Sequence, residues 1–463
     1  MVNFMIALPR CCVFAPMGTG KTSAVLTALD ALLMAGIVRK VLILAPLRVA
    51  RSTWTDEANR WACFAHLRLS VIVGDPEQRA AALAVPADIY TLNYENVPWL
   101  VDQMGDGFDF DMIVADESVK LKNLRSKQGG ARAGALRDLA HTKVKRWVNL
   151  TGMAVENGLR DLWGQLWFID AGQRLGRTFD AFESRWFMYK RKSDAFKHDR
   201  AVEMVVMPHA QSEMQAAIKD VCLTLDPKDW FKLDAPIVNT LYVDLPPAAR
   251  KNYREMERAF FTKIKNHEIE TFSAAGKSQK LLQFCNGAAY LDPSVENEDD
   301  PKARAWVEVH EEKIQALESV VNEAGGMPIL VAYHFKSDLA RLKKAFPQGR
   351  HISKKTDEDD FKAGKIPVAF VHPQSIGHGV DGFQHVTNII VFFGFWWGAG
   401  PYLQVIERIG PMRQMQAGLK RPCFVHHIAA RDTIDEDVIE CLNSKRSVSD
   451  ILIEALKRRN SDG

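Results

Sequence analysis

The chain has 463 residues, 47% hydrophobic and 25% charged, an ordinary globular composition long enough for two or three domains with sizeable cores. A net charge of only +3 excludes recognition through a global basic field, so a nucleic-acid partner would have to be met by a local cleft. The seven cysteines form no C-x-x-C pair and no Cys/His spacing that suits zinc, Met1 to Arg10 lacks the features of a signal peptide, and the apolar patch Asn388 to Gly400 is too short to span a bilayer; the expectation is a soluble, cytoplasmic protein with reduced thiols and no membrane partner.

The apolar run Cys11 to Phe14 is followed by Ala15-Pro16-Met17-Gly18-Thr19-Gly20-Lys21-Thr22 and then by an Ala/Leu-rich helical run from Ser23 to Leu33. This is a P-loop pattern with Ala15 in place of the leading glycine. Gly18 and Gly20 let backbone N–H groups wrap phosphate oxygens, the helix N-terminus adds its positive dipole end, Lys21 supplies a point charge and Thr22 offers a hydroxyl to Mg²⁺.

Further strand-like runs follow at Val41 to Ala45, Leu69 to Val73, Asp88 to Leu92, Met112 to Ala115 and Trp147 to Leu150, with helical segments such as Ser52 to Trp61 and Pro76 to Leu83 between them. Alternation of this kind implies a parallel α/β sheet covered on both faces. Met112 to Ala115 delivers Asp116-Glu117 to a strand's C-terminal end, where such sheets place ligands. One carboxylate, Asp116, can hold Mg²⁺, and its neighbour Glu117 can orient or deprotonate a water.

From about Gly172 to Pro236 the alternation stops, and a mostly helical insertion is expected. Lys190, Arg191, Lys192, Lys197 and Arg200, interleaved with aromatic residues, read equally well as a solvated face and receive no site. A strand at Val238 to Val243 and a charged amphipathic helix at Pro246 to Lys265 open the next domain, and Glu296 to Asp300 is an acidic, solvent-facing stretch. The rhythm then restarts: helix Lys313 to Glu323, strand Pro328 to Tyr333, helix Lys336 to Phe346, and strands Pro367 to Val371, Asn388 to Phe393 and Pro422 to Ile428. Gln374-Ser375-Ile376-Gly377-His378-Gly379-Val380-Asp381-Gly382 has the density of small residues that a backbone needs to approach a ligand closely. His426 and His427 read as strand histidines, because no third ligand lies near them.

Leu42-Ile-Leu-Ala-Pro46 with Trp54 and Glu57, Asp116-Glu-Ser-Val-Lys-Leu-Lys-Asn123, and Leu150-Thr-Gly-Met-Ala-Val-Glu-Asn157 with Leu162-Trp163 together resemble the ordered motifs of helicase superfamily two, and more narrowly the Swi/Snf-like ATPases of compact bacteriophage and prophage type. The resemblance implies an α/β fold of two RecA-like parallel-sheet lobes in tandem: lobe 1 at 1–172, a mostly helical insertion at 173–236 and lobe 2 at 237–463. It implies an ATP hydrolase using ATP and Mg²⁺ between the lobes, with DNA, expected to be double-stranded, as partner. Residues 15 to 22 with Gly379 and Asp381 would bind nucleotide, Thr22 and Asp116 the metal, and Thr151, Gly152, Ser375 and Gln404 would couple the site to nucleic acid. Arg408 or Arg413 would reach the γ-phosphate; Arg413 ranks first because Gly410-Pro411 should interrupt the helix, leaving Arg408, one turn after Gln404, to position.

Three departures from the family pattern stand out. No glutamine precedes the P-loop to read adenine, Ser118-Val119 replaces the commoner Gly/Ala-His, and Arg413 lies five rather than three residues after Arg408. Two rival readings remain: a strand-separating DNA or RNA helicase, and a nucleotide-gated nucleic-acid-binding protein without turnover.

Overall fold

In a computed structural model, which describes residues 1–16, 18–124, 130–152, 155, 158–191, 202–225, 234–265, 278–291, 305–376 and 381–443, the chain divides into two compact units, Met1–Lys232 and Leu233–Gly463. The first unit is built on β1 Arg10–Phe14, β2 Val41–Ala45, β3 Leu69–Ile72, β4 Ile89–Asn93, β5 Met112–Asp116 and β6 Arg146–Thr151. An antiparallel pair follows, β7 Phe187–Arg191 and β8 Val202–Val206, and then β9 Cys222–Thr224. The main sheet runs β3-β4-β2-β5-β6-β1-β9, with every described pairing parallel.

Alternation of side chains along each strand sends successive residues to opposite faces. Cys12, Phe14, Leu42, Leu44, Ile113 and Ala115 enter one core, with Leu100, Leu136 and Leu166 from helices Val97–Met104, Ala131–Ala140 and Asp161–Asp170. Cys11, Val13, Val41, Ile43, Met112 and Val114 enter the other, with Leu26 and Leu29 of helix Lys21–Met34 and Trp54 of helix Trp54–Arg60. Burial on both faces accounts for the unbroken apolar runs in the sequence.

Among the described residues, the stretch 173–236 combines helices with short strands. It holds helices Phe179–Trp186 and Ala210–Ile218, but also the β7/β8 pair and β9, whose Cys222 to Thr224 pair in register with Cys12 to Phe14. Phe182, Trp186, Phe187 and Met214 bury themselves in the core of the first unit, whose boundary falls after Lys232. A short helix, Val2–Ala7, also precedes β1 where none is expected. Lys192, Lys197 and Arg200, like the acidic stretch 296–300, lie outside the described residues.

The second unit carries β10 Ile237–Val243, β11 Ala288–Tyr290, β12 Trp306–Glu308, β13 Ile329–Ala332, β14 Arg350–His351, β15 Val368–Val371, β16 Ile389–Phe392 and β17 Phe424–Ala430. Its sheet, β10-β17-β16-β13-β15-β14, is parallel in each described pairing, while β11 and β12 form a separate antiparallel pair. A buried ion pair between Lys313 and Asp435, 2.6 Å apart with both side chains fully enclosed, ties helix Glu312–Glu323 to helix Ile434–Asn443. Lys313 also donates to Asn286 Oδ1 at 2.8 Å, which satisfies a charge that would otherwise be costly to bury. All seven cysteines are free, and no helix among the described residues is long and apolar enough to cross a membrane.

Candidate functional site

The register of the first sheet sets three strand ends side by side: Phe14 of β1 pairs with Thr151 of β6, and Leu150 of β6 pairs with Asp116 of β5. The Ala15 N–H donates to Thr151 O at 3.0 Å, so the chain is still held to β6 as it enters the glycine loop. Gly18 and Gly20 adopt φ of 81° and 77°, a region that disfavours any Cβ, and Gly20 caps helix Lys21–Met34. Thr19 closes the turn by donating its hydroxyl to Pro16 O at 2.7 Å. Lys21 Nζ donates to the carbonyls of Ala15 and Pro16, folding its ammonium over the mouth of its own loop. Thr22 follows at the first turn of the helix, whereas Met17 lies outside the described residues.

Asp116 ends β5, and Glu117 turns away from the strand with φ 57°, a left-handed conformation uncommon for a residue with a side chain. Thr151 Oγ1 donates to Glu117 Oε2 at 3.2 Å, and Tyr94 Oη donates to the Asp116 backbone carbonyl at 2.9 Å. Burial pushes the Asp116 carboxyl up to about 7 and the charge of Glu117 adds to this; Lys21, the Glu117 N–H and Trp54 pull the other way. Tyr94 and Trp54 thus belong to the surroundings of the carboxylates; Trp54 is one of the motif residues, whereas nothing in the sequence around Tyr94 indicated it. Gly152 follows Thr151 at the end of β6.

The second unit gathers its own polar cluster. Arg413 Nη1 lies 3.1 Å from Asp381 Oδ1. Burial raises the Asp381 carboxyl, but Arg413, the Gly382 N–H, Gln384 and Arg408 outweigh it and hold the group below the usual carboxylate range. Gln404 and the buried Arg408 sit one turn apart on helix Ala399–Ile409. Gly410 ends that helix in an extended conformation and Pro411 starts helix Pro411–Gln416, so the interruption expected between the two arginines is present. Ser375 falls in the short helix Pro373–Ile376, and Gly379 lies outside the described residues. His427 is buried in β17, where it meets the Tyr402 hydroxyl at 2.9 Å, in keeping with a strand histidine.

The donor set suits a magnesium nucleotide. Two left-handed glycines, a lysine held over the loop, and a pair of adjacent carboxylates whose mutual repulsion a divalent cation would relieve all occur at neighbouring strand ends. Among the described residues no group of three or more His, Cys, Asp or Glu forms an all-protein metal cage, and a cation held here would share its coordination with phosphate oxygens and water, as Mg²⁺ does.

A glycine loop opening a helix on Lys-Thr, beside an Asp-Glu strand end in a parallel sheet and followed by a second parallel-sheet unit, defines a P-loop nucleotide hydrolase of helicase type. The model of the SNF2-related domain matches residues 1–292. A putative protein of Acyrthosiphon pisum secondary endosymbiont phage 1 is 48% identical over 99% of this chain and 97% of its own length. The mouse SWI/SNF-related matrix-associated actin-dependent regulator of chromatin subfamily A member 1 is 23% identical over 95% of this chain, which spans 41% of that protein's length. Among solved structures, the Sulfolobus solfataricus SWI2/SNF2 ATPase core in complex with dsDNA aligns over 96% of this chain and 89% of its own, at 19% identity and a TM-score of 0.41. The chain belongs to the SNF2-related domain family, within the helicase-like ATPases of superfamily two.

Proposed function

We propose that the chain is a DNA-stimulated motor that hydrolyses ATP and uses the cycle to move along duplex DNA in the cytoplasm. The observation that supports this reading most strongly is the convergence of Lys21, Asp116, Glu117 and Thr151 on adjacent strand ends, with Thr151 bonded to the Glu117 carboxylate. Residues 1–172 carry the nucleotide-binding lobe, 173–236 lead to the second lobe, and 237–463 form that lobe.

In this reading the loop 15–22 cradles the phosphates through its N–H groups, and Lys21 leaves its own carbonyls to meet phosphate oxygens. Thr22 and Asp116 would hold Mg²⁺, and Gly379 and Asp381 would contribute nucleotide contacts. Glu117 orients the attacking water and accepts its proton. Bound Mg²⁺ supplies neutralisation of charge on the phosphate oxygens. Arg413, with Arg408 behind it, stabilises the charge of the transferring phosphoryl group, for which a planar guanidinium is suited. Thr151, Gly152, Ser375 and Gln404 transmit nucleic-acid contact to the carboxylates.

The experiment is ATP turnover without nucleic acid, with single-stranded DNA and with duplex DNA. Stimulation greatest with duplex, weakening steeply as salt rises, is the expected result. Stimulation by single strands together with strand displacement would instead make it a helicase, and nucleotide binding without turnover would make it a nucleotide-gated binding protein.

A further inference from the structure

The turn after Glu117 is clamped by helix Asp161–Asp170 at three points. Gly164 packs so closely that a Cβ there would lie 2.5 Å from Lys122 O and 2.8 Å from Leu121 O. Lys122 Nζ reaches Asp161 Oδ2 at 3.4 Å. Between these, the Ser118 hydroxyl donates to Gln165 Oε1 at 2.8 Å, and both residues are fully buried.

Gln165 is itself held. Its Nε2 donates to Asp161 O at 2.9 Å, and its backbone carbonyl accepts from Asn149 Nδ2 at 2.8 Å, while Asn149 Oδ1 accepts from Trp147 Nε1. Asn149 lies on β6, two residues before Thr151. One strand therefore grips Glu117 twice: directly through the Thr151 hydroxyl, and through Asn149, Gln165 and Ser118 on the backbone immediately after it. One anchor on the carboxylate of Glu117 and one on the residue that follows it, where Glu117 holds φ 57°, together fix the direction in which the carboxylate leaves the strand.

We propose that Gln165 is a positioning residue for Glu117, locking the Ser118 turn so that the carboxylate keeps the orientation needed to address water. This rests on the assignment of Glu117 as the group that activates water. A buried hydrogen bond between two uncharged side chains, made 47 residues apart in the chain, is costly to leave half-made, yet a pair of apolar residues of similar shape could fill the same space. Structural and positioning roles are separable for that reason.

The test compares the full chain with Glu117→Gln, Gln165→Leu and the double variant Ser118→Ala/Gln165→Leu, measuring Tm, affinity for a non-hydrolysed ATP analogue, and kcat. Gln165→Leu should lower both Tm and kcat, with analogue affinity within about twofold. The double variant removes the stranded hydroxyl and should regain Tm, while kcat stays down by roughly tenfold to a hundredfold, the scale of catalytic misplacement. If kcat recovers together with Tm, the pair serves packing alone and the inference is overturned. Glu117→Gln separates the two levels: a normal rate there overturns the reading on which the inference rests, whereas a dead Glu117→Gln beside a fully active double variant overturns only the role of Gln165.

Discussion

Thr151, the last residue of β6, donates its hydroxyl to the Glu117 carboxylate at 3.2 Å across the C-terminal edge of the sheet. β6 lies between the strand that leads into the glycine loop and the strand that ends in Asp116. A shift of β6 along its own axis would therefore be felt by the loop through Ala15 and by the carboxylate through Thr151.

Glu117→Gln should bind ATP and hydrolyse it about 10² to 10⁴ times more slowly, the usual worth of a general base. The amide can still accept from Thr151, so the fold should be retained. Single-turnover hydrolysis alongside analogue binding checks this, and a near-wild-type rate would move the role elsewhere.

Lys21→Ala should abolish turnover and leave Tm within a few degrees of wild type. The Lys21 ammonium donates to the carbonyls of Ala15 and Pro16 in its own loop, and Lys21 is not among the side chains that fill the cores of this unit. Turnover retained in this variant would remove the loop as the active site.

Arg413→Ala and Arg408→Ala should differ. Arg413 is paired with Asp381 near the surface, whereas Arg408 is buried within the second unit, so loss of Arg413 should cut kcat by about 10³ or more with a smaller effect on ATP affinity. Loss of Arg408 should also lower Tm. Measured with saturating duplex DNA, normal turnover in Arg413→Ala together with none in Arg408→Ala would reverse the two roles.

The second unit should lose stability in mild acid. Burial lowers His310 and His427 to about 4 and His334 to about 3; the Phe284 carbonyl opposes the shift at His310, while the charges of His372 and His426 add to it at His334 and His427. Unfolded histidine titrates near 6.5, so the unfolded chain takes up these protons first. The stability is fully present above about pH 6.5 and falls as the pH drops toward 4, on the order of 3 kcal/mol for each group over the full window. Amide exchange in β13 and β17, taken relative to its chemical rate, should rise between pH 7 and pH 4.5; a ratio insensitive to pH would count against these three groups.

Much of the fold was legible because burial on both faces writes itself as unbroken apolar runs. Val41–Ala45 is a strand over the residues expected, and Met112–Asp116 differs from expectation by one residue. The glycine loop was legible because its backbone demands glycine at φ near 80°. Short elements were not: β9 has three residues and β14 two, and neither leaves a periodic signal, since each is defined by the neighbour it joins. Pairings between distant polar side chains were equally hidden, among them Ser118 with Gln165, Arg413 with Asp381 and Lys313 with Asp435. Nothing in the sequence joins one member of each pair to the other, and only the packing brings them together.

In the second unit the first strand, β10, pairs in register with the last, β17, Ile237 opposite Phe424 and Val243 opposite Ala430. On the ribosome, β10 emerges early and must wait for almost the entire unit to be translated before its neighbour exists. Until then its backbone donors and acceptors have no sheet to join, and Ile237, Val238 and Tyr242, which remain partly exposed even in the finished unit, sit on an open edge that invites pairing with another nascent chain. A message truncated before the codons for Phe424 would yield a polypeptide with a complete first sheet and an aggregation-prone second one.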